Sequence, residues 1–172
     1  LILVPTRELA QQVSSVAQRA LSGYRVLALH GGEARSAQCA LLRDDTPHVV
    51  VATPGRLLDL CTGAPAALSL SGVRYAVLDE ADKLLLGAEL QAQACSLLAM
   101  CSHAERQTVL VMATDAAGLA EAAAPLIKRP LVIWCGNAKD AGEARGAAGG
   151  EEEGEEEGKE EAKEEAKEEA KE

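Results

Sequence analysis

The stretch VLDEAD, residues 77–82, places three carboxylates directly after a short apolar run. Val73–Leu78 has the length and composition of a buried strand, and Asp79, Glu80 and Asp82 follow where that strand would end. In open α/β sheets, ligands bind at the carboxyl ends of the strands. The stretch therefore predicts a buried strand with an acidic group at the ligand-binding edge of a sheet.

Apolar stretches and amphipathic helical stretches alternate along the chain as far as Trp134. The predicted strands are Leu1–Val4, Tyr24–Leu29, His48–Ala52, Val73–Leu78, Thr108–Met112 and Leu131–Trp134. The predicted helices are Arg7–Leu21, Ala34–Arg43, Gly55–Cys61, Leu84–Met100 and Ala116–Ile127. This alternation predicts an α/β fold, with a mainly parallel sheet, helices on both faces, and the turns after the strands on one edge.

The negative charge is concentrated at the end of the sequence. The net charge is −10, but residues 151–172 hold 13 Glu and 4 Lys, so the first 150 residues are nearly neutral. A nucleic-acid site in that part would depend on positioned Arg side chains and backbone amides rather than on overall charge. Phe is absent, and one Trp and two Tyr leave few rings on which bases could stack.

The last 36 residues differ in composition from the rest. Residues 137–150 have the Gly and Ala content of a linker, and residues 151–172 are an acidic, low-complexity Glu/Lys segment. A four-residue period favours a helix but places like charges at i,i+4, so we predict a fraying helix or disorder. The expected organisation is one domain over residues 1–136 and a linker with an acidic tail over residues 137–172. The tail is expected to aid solubility, and recruitment of a basic protein partner is the alternative.

Cysteine usage indicates a reducing environment. The five cysteines show no C-x-x-C spacing, and they are Cys39, Cys61, Cys95, Cys101 and Cys135. Most lie in apolar stretches, where Cys packs as a small hydrophobe. They predict an intracellular location without separating nucleus or nucleolus from cytoplasm. No apolar run approaches the roughly 18 residues of a membrane span, so no membrane association is expected. The chain starts at Leu1 within a predicted strand, and we expect it to be cut from a longer protein.

PTREL, residues 5–9, follows the first predicted strand. Thr6 is predicted to cap the helix that begins at Arg7. The start of such a helix presents backbone amides to an anion, and Arg7 stands beside them. An ordinary strand–turn–helix junction would also explain this motif.

TPGR, residues 53–56, repeats the arrangement after the strand HVVVA. Thr53 is a good cap, and Pro54 suits the first helical position, where no amide hydrogen is needed. Gly55 carries no side chain that would keep a phosphate from the backbone, and Arg56 can add a charged hydrogen bond. Two such junctions on one edge predict a track for a sugar-phosphate backbone.

HGG, residues 30–32, follows a third predicted strand. Gly31 and Gly32 would form a turn of low bulk on the same edge. His30, like His48 and His103, is more often a structural residue than a functional one.

The carboxylates of DEAD, residues 79–82, suit the chemistry of a bound cation and a water molecule. A carboxylate at a strand end can hold hydrated Mg²⁺, and a second beside it can accept a proton from an attacking water. Asp82 could couple such a site to a neighbouring loop. An acidic helix start would also explain Glu80 and Asp82, but not the order D-E-A-D directly after an apolar strand.

Five motifs together carry a family resemblance: LVPTRELAQQV, HGG, VVVATPGRLLDL, VLDEADKLL and RQTVLVMAT occur in this order. With them, the chain resembles the first RecA-like domain of a DEAD-box ATP-dependent RNA helicase of superfamily 2. The resemblance implies a RecA-like, P-loop NTPase-type sheet. It also implies RNA as the partner, and ATP and Mg²⁺ as the cofactors of the complete protein.

The resemblance assigns roles to individual residues. Asp79 would serve Mg²⁺ through water, and Glu80 would orient and deprotonate the hydrolytic water. Asp82, with Ala113 and Thr114, would couple hydrolysis to strand separation. The residues implied to hold the RNA backbone are Pro5, Thr6, Arg7, Gly31, Gly32, Thr53, Pro54, Gly55 and Arg56. Gln38 also matches the family's pattern.

The chain departs from the family's pattern at three points. Met112 stands where the family has Ser, so only Thr114 remains to form the polar link with Asp82. The helix after DEAD lacks the usual aromatic residue. No G-x-x-x-x-G-K-[ST] loop occurs in the sequence, so we expect an incomplete sheet. In the family the phosphate-loop strand lies inside the sheet, so its loss would leave its neighbours with unpaired edges.

Three functions stay open at this point. The first is part of an ATP-dependent RNA helicase, inactive as an ATPase on its own. The second is a degenerate, non-catalytic module that binds RNA or protein. The third is a metal-dependent hydrolase of another kind, which no His/Asp cluster with ligand spacing supports.

Overall fold

In a computed structural model, the protein is described over residues 1–114, 117–127, 129–133 and 135. The chain divides into two units, Leu1–Pro130 and Leu131–Glu172. The second unit is described only at residues 131–133 and 135, so the fold below is that of the first. The linker and acidic tail predicted for residues 137–172, and the boundary after residue 136, lie outside the described residues.

Five parallel strands form one sheet. They are β1 (Ile2–Leu3), β2 (Val26–Leu29), β3 (Val49–Ala52), β4 (Tyr75–Asp79) and β5 (Gln107–Val111). Their order across the sheet is β2-β3-β1-β4-β5, so the first strand of the chain lies in the middle. All four pairings are parallel, and the predicted α/β fold with a parallel sheet is confirmed.

Six helices accompany the strands in the described residues. They are α1 (Arg7–Ala20), α2 (Arg35–Asp44), α3 (Pro54–Thr62), α4 (Ala81–Leu86), α5 (Ala88–Met100) and α6 (Leu119–Ala123). Neighbouring residues of β3 point to opposite cores. Val51 packs in a cluster with Ala10 of α1, whereas Ala52 packs in a larger cluster with Leu57 of α3 and Leu97 of α5. The prediction of helices on both faces is therefore confirmed.

The first three predicted helices agree with α1, α2 and α3 to within one residue at each end, and the other two do not. The single helix predicted over Leu84–Met100 is wrong, because the chain is extended at Gly87 (φ −95°, ψ 119°), which separates α4 from α5. Glycine gives up more conformational freedom in a helix than any other residue, so a break there costs little. The helix predicted over Ala116–Ile127 shortens to α6, which starts after Gly118 at φ 83°. Pro125 follows closely and lacks the amide that would extend α6.

The sixth predicted strand, Leu131–Trp134, is wrong over the three residues that the structure describes. Leu131, Val132 and Ile133 form no strand and are exposed. A strand needs a neighbour to pair its backbone groups, and these residues have no strand partner within the described part of the chain. Trp134 lies outside it.

The last strand of the sheet, β5, leaves one edge open. No other strand among the described residues pairs with its outer side. Val109 and Val111 are exposed there, and Val109 is in register with Val77 of β4. An open sheet has two such edges, and β2 forms the other one. The unpaired edges that the sequence predicts beside a phosphate-loop strand therefore stay a prediction.

The cysteines are all free thiols, and Cys39, Cys61 and Cys101 pack in the larger core. Burial raises the pKa of Cys61 to about 11, with a smaller contribution from Cys101. That thiol stays protonated at neutral pH and packs as a small apolar group, as predicted. Among the residues that the structure describes, no helix has both the length and the apolar character needed to cross a bilayer.

Candidate functional site

The carboxyl ends of four strands lie side by side at one edge of the sheet. Leu3 of β1 is in register with Ala52 of β3 and with Leu78 of β4, and Ala52 is in register with Leu29 of β2. The loops that follow these residues start at the same level. PTREL, HGG, TPGR and DEAD, separated by up to 70 positions in the chain, are thereby brought to one edge, as the sequence predicts.

The PTREL loop leads from β1 into α1. The Thr6 hydroxyl accepts a hydrogen bond from the Leu9 amide at 3.2 Å, so the predicted cap is confirmed. Arg7 is 53% exposed and its guanidinium contacts the Glu8 carboxylate at 3.2 Å. Since that pair is at the surface, it holds Arg7 weakly and leaves the guanidinium accessible to an anion.

The HGG turn packs directly against PTREL. His30 is buried, and its Nδ1 lies 2.8 Å from the Gly31 carbonyl oxygen, which fits a structural role. Gly32 has φ +93°, and a Cβ there would lie 2.6 Å from Nη1 of Arg7. The left-handed backbone conformation therefore favours glycine here, whereas the flexible, exposed end of Arg7 can move away from an added Cβ.

The TPGR loop begins α3 after β3. Pro54 occupies the start of the helix, as predicted, and Thr53 is the cap residue, but its side chain makes no capping hydrogen bond. Thr53 is therefore the cap residue, as predicted, but its hydroxyl takes no part in capping. Gly55 is exposed, and a Cβ there would meet Oε1 of Gln93 at 3.3 Å. Gln93, on α5, borders this loop, and no sequence signal pointed to it.

Arg56 points into the protein rather than outward. Its side chain is only 15% exposed. Its Nη1 and Nη2 donate to the Glu33 carbonyl at 3.1 and 3.0 Å, and Nη1 also donates to Oε1 of Gln38 at 2.8 Å. TPGR is thus joined to the segment that follows HGG.

Gln38, on α2, completes this contact and is fully buried. Its Nε2 donates to the His30 carbonyl at 3.1 Å and to the Glu33 carboxylate at 3.0 Å. The sequence pointed to Gln38 only through its match to the family's pattern. It gave no sign of Glu33, because Glu33 takes part chiefly through its backbone carbonyl, which any residue supplies.

The DEAD loop turns sharply after β4. Glu80 has φ 51° and ψ 51°, the left-handed conformation, and directly precedes α4. Non-glycine residues rarely adopt this conformation, and those that do are concentrated at functional sites. The Glu80 carboxylate pairs with Nζ of Lys83 at 3.0 Å.

Asp79 stands at the end of β4 and fits a hydrated cation. Its Oδ1 accepts a hydrogen bond from the Glu80 amide at 3.0 Å, while Oδ2 has no hydrogen-bond partner among the described residues. A carboxylate oxygen of this kind can hold Mg²⁺ through a water. The described residues hold no group of three or more His, Cys, Asp or Glu with metal-binding geometry.

Asp82 is linked to the loop after β5. The Thr114 hydroxyl donates to Oδ2 of Asp82 at 3.0 Å, which is the one polar link expected to remain. Met112 and Ala113, in the same loop, are exposed. DEAD and the loop after β5 are therefore in direct contact.

Comparisons with known proteins agree with this geometry. The family model of the DEAD/DEAH box helicases matches residues 1–121. The chain is 37% identical over 143 residues to the ATP-dependent RNA helicase DBP3 of Debaryomyces hansenii, covering 81% of this chain and 26% of the relative. It is 36% identical over 143 residues to the probable ATP-dependent RNA helicase DDX27 of Homo sapiens, covering 81% of this chain and 18% of the relative.

A solved structure shares the fold. It is the crystal structure of a hypothetical ATP-dependent RNA helicase from Sulfolobus tokodaii, with TM-score 0.62 and 32% sequence identity, covering 74% of this chain and 38% of the other. The chain belongs to the DEAD/DEAH box helicase family, and its sheet is RecA-like. It spans about a quarter or less of the curated relatives named above.

The contact between Gly32 and Arg7 gives a prediction about stability. Gly32→Ala should lower the free energy of unfolding by about 1–2 kcal/mol, because alanine is strained at this φ and its methyl group displaces Arg7. Gly31→Ala is the matched control: a Cβ there meets nothing within 4 Å, so its cost should be under about 0.5 kcal/mol. Urea unfolding of both variants measures the difference. Equal costs would contradict the described turn.

Proposed function

We propose that this chain is part of an ATP-dependent RNA helicase and that its PTREL, HGG and TPGR loops bind the RNA backbone. The observation that carries the proposal is the shared register of β1, β2 and β3, which sets the three loops side by side. Contacts within the edge support it, because Arg7 packs on Gly32 and Arg56 hydrogen-bonds to Glu33.

The chemistry of these loops suits phosphates and 2′-hydroxyls. The starts of α1 and α3 present backbone amides, with exposed Arg7 beside the first. Gly55 leaves the backbone open to close approach. The residues proposed for this surface are Pro5, Thr6, Arg7, Gly31, Gly32, Thr53, Pro54 and Gly55, supported by Arg56. Because such contacts do not reach base edges, we expect little sequence preference.

We propose that the DEAD loop serves ATP hydrolysis in the complete protein. Asp79 would hold hydrated Mg²⁺, and Glu80 would orient a water and accept its proton. When bound, the cation would offset the charge of the phosphates. Asp82, Ala113 and Thr114 would couple hydrolysis at this site to the loop after β5. The hydrogen bond between Thr114 and Asp82 supports this coupling.

The alternative, a degenerate module without catalysis, draws on Met112 and on the sequence's lack of a phosphate-binding loop. No relative named above supports it, since each is described as an RNA helicase. The free thiols of all five cysteines support an intracellular location. A basic protein partner for the acidic tail stays a prediction.

RNA binding by the 172-residue chain is the direct test. Arg7→Gln should weaken binding of a single-stranded oligouridylate roughly tenfold, and should flatten the slope of log affinity against log salt by about 0.7, because one phosphate contact is lost. Fluorescence anisotropy across a salt series measures both. Arg19→Gln is the control, since it removes the same charge from the other end of α1. Equal losses from both variants, or no salt-dependent binding, would refute the proposal.

The chain alone should show no multiple-turnover ATP hydrolysis. Its sequence has no G-x-x-x-x-G-K-[ST] loop to hold the phosphates, so Asp79 and Glu80 have no bound nucleotide on which to act. A phosphate-release assay should give the same background for the wild-type chain and for Glu80→Gln. Turnover that is present in the wild type and lost in Glu80→Gln would show that the chain is an ATPase by itself.

A further inference from the structure

Four residues behind the proposed RNA-binding loops form a hydrogen-bonded network. Gln38 and Arg56 are its central side chains, and His30 and Glu33 are the loop residues that it holds. We call these four residues the Gln38–Arg56 network. Its five hydrogen bonds, between 2.8 and 3.1 Å, join α2 and the start of α3 to the exposed segment after β2.

The donors of Arg56 are largely used within the protein. Of the five N–H groups of a guanidinium, three donate to Glu33 and Gln38, and Nε faces the Asp59 carboxylate at 3.9 Å. The side chain is 15% exposed, whereas that of Arg7 is 53% exposed. To bind a phosphate through both Nη1 and Nη2, Arg56 would have to break these internal hydrogen bonds.

The side-chain amide of Gln38 also makes its hydrogen bonds within the protein. Both N–H groups of its amide donate, and its oxygen accepts from Arg56, inside a fully buried site. Buried amides are retained where each polar group has a partner, and removing one partner leaves the others unpaired. The geometry therefore fixes the spacing between the HGG turn and the start of α3.

We propose that Gln38 and Arg56 are positioning residues for RNA binding. They hold the HGG turn and the TPGR loop at the spacing at which one RNA backbone contacts both, and Arg56 does not itself bind phosphate. This inference rests on the proposed RNA-binding function and assigns new roles within that site.

The salt dependence of RNA affinity separates positioning from direct contact. Arg56→Gln and Gln38→Ala should each weaken oligouridylate binding roughly tenfold, because the loops lose their spacing. The double variant should be little weaker than either single variant, because both remove the same network. A direct phosphate contact by Arg56 would instead flatten the salt slope by about 0.7.

Arg35→Gln is the matched control for Arg56→Gln. Arg35 also pairs with Asp59, at 3.2 Å, and the substitution removes the same charge, but Arg35 lies outside the network. We expect near wild-type affinity for Arg35→Gln and the same salt slope for Arg35→Gln and Arg56→Gln. Hydrogen exchange over residues 30–34 of the folded chain should be faster than in the wild type for Arg56→Gln, and unchanged for Arg35→Gln.

Each outcome is decisive. A flatter slope of log affinity against log salt for Arg56→Gln than for Arg35→Gln would overturn the positioning role while RNA binding stands. A loss of RNA affinity in the double variant equal to the product of the two single losses would do the same. Absence of RNA binding by the wild-type chain would refute the proposed function, and the inference with it. If Gln38→Ala does not fold, the comparison of Arg56→Gln with Arg35→Gln decides the question alone.

Discussion

The parallel register of the sheet is the constraint on which the candidate site depends. Leu3, Leu29 and Ala52 end β1, β2 and β3 at one level, and Leu78, the residue before the end of β4, pairs in register with Leu3. Two backbone hydrogen bonds fix the residues that directly follow β1 and β3. The Val4 amide donates to the Ala52 carbonyl at 3.0 Å, and the Thr53 amide donates to the Leu29 carbonyl at 3.1 Å. A slip of one residue would move every side chain to the other face and separate the loops.

The order of the strands divides the edge between two kinds of chemistry. β2, β3 and β1 are adjacent, so HGG, TPGR and PTREL form one continuous surface that suits a phosphate backbone. β4 and β5 come next, and their loops carry the carboxylates and Thr114. The two parts meet at β1, whose neighbours are β3 and β4. The strand order therefore places the loops proposed to bind RNA next to the carboxylates proposed to serve hydrolysis.

Much of this arrangement could be predicted from the sequence, because local rules govern it. The alternation of strands and helices gave the fold class, and Thr6 caps α1 as its position indicates. Thr53 does not cap α3 through its side chain, although the same rule applied, since a good cap residue has other conformations open to it. Gly87 divides a helix that amphipathic periodicity alone predicted to be continuous.

Long-range contacts could not be read from the sequence. The inward orientation of Arg56 depends on the Glu33 carbonyl and on Gln38, which lie 23 and 18 positions away. Gln93 reaches Gly55 only because α5 packs against α3.

Chemical-shift mapping of oligouridylate on the isotope-labelled 172-residue chain tests the central claim most directly. The account predicts shifts that are largest at backbone amides in PTREL, HGG and TPGR, small at Asp79–Asp82, and absent along the outer edge of β5. Shifts centred on the DEAD loop or on β5, or no shifts at all, would contradict the claim that these three loops form one RNA-binding surface.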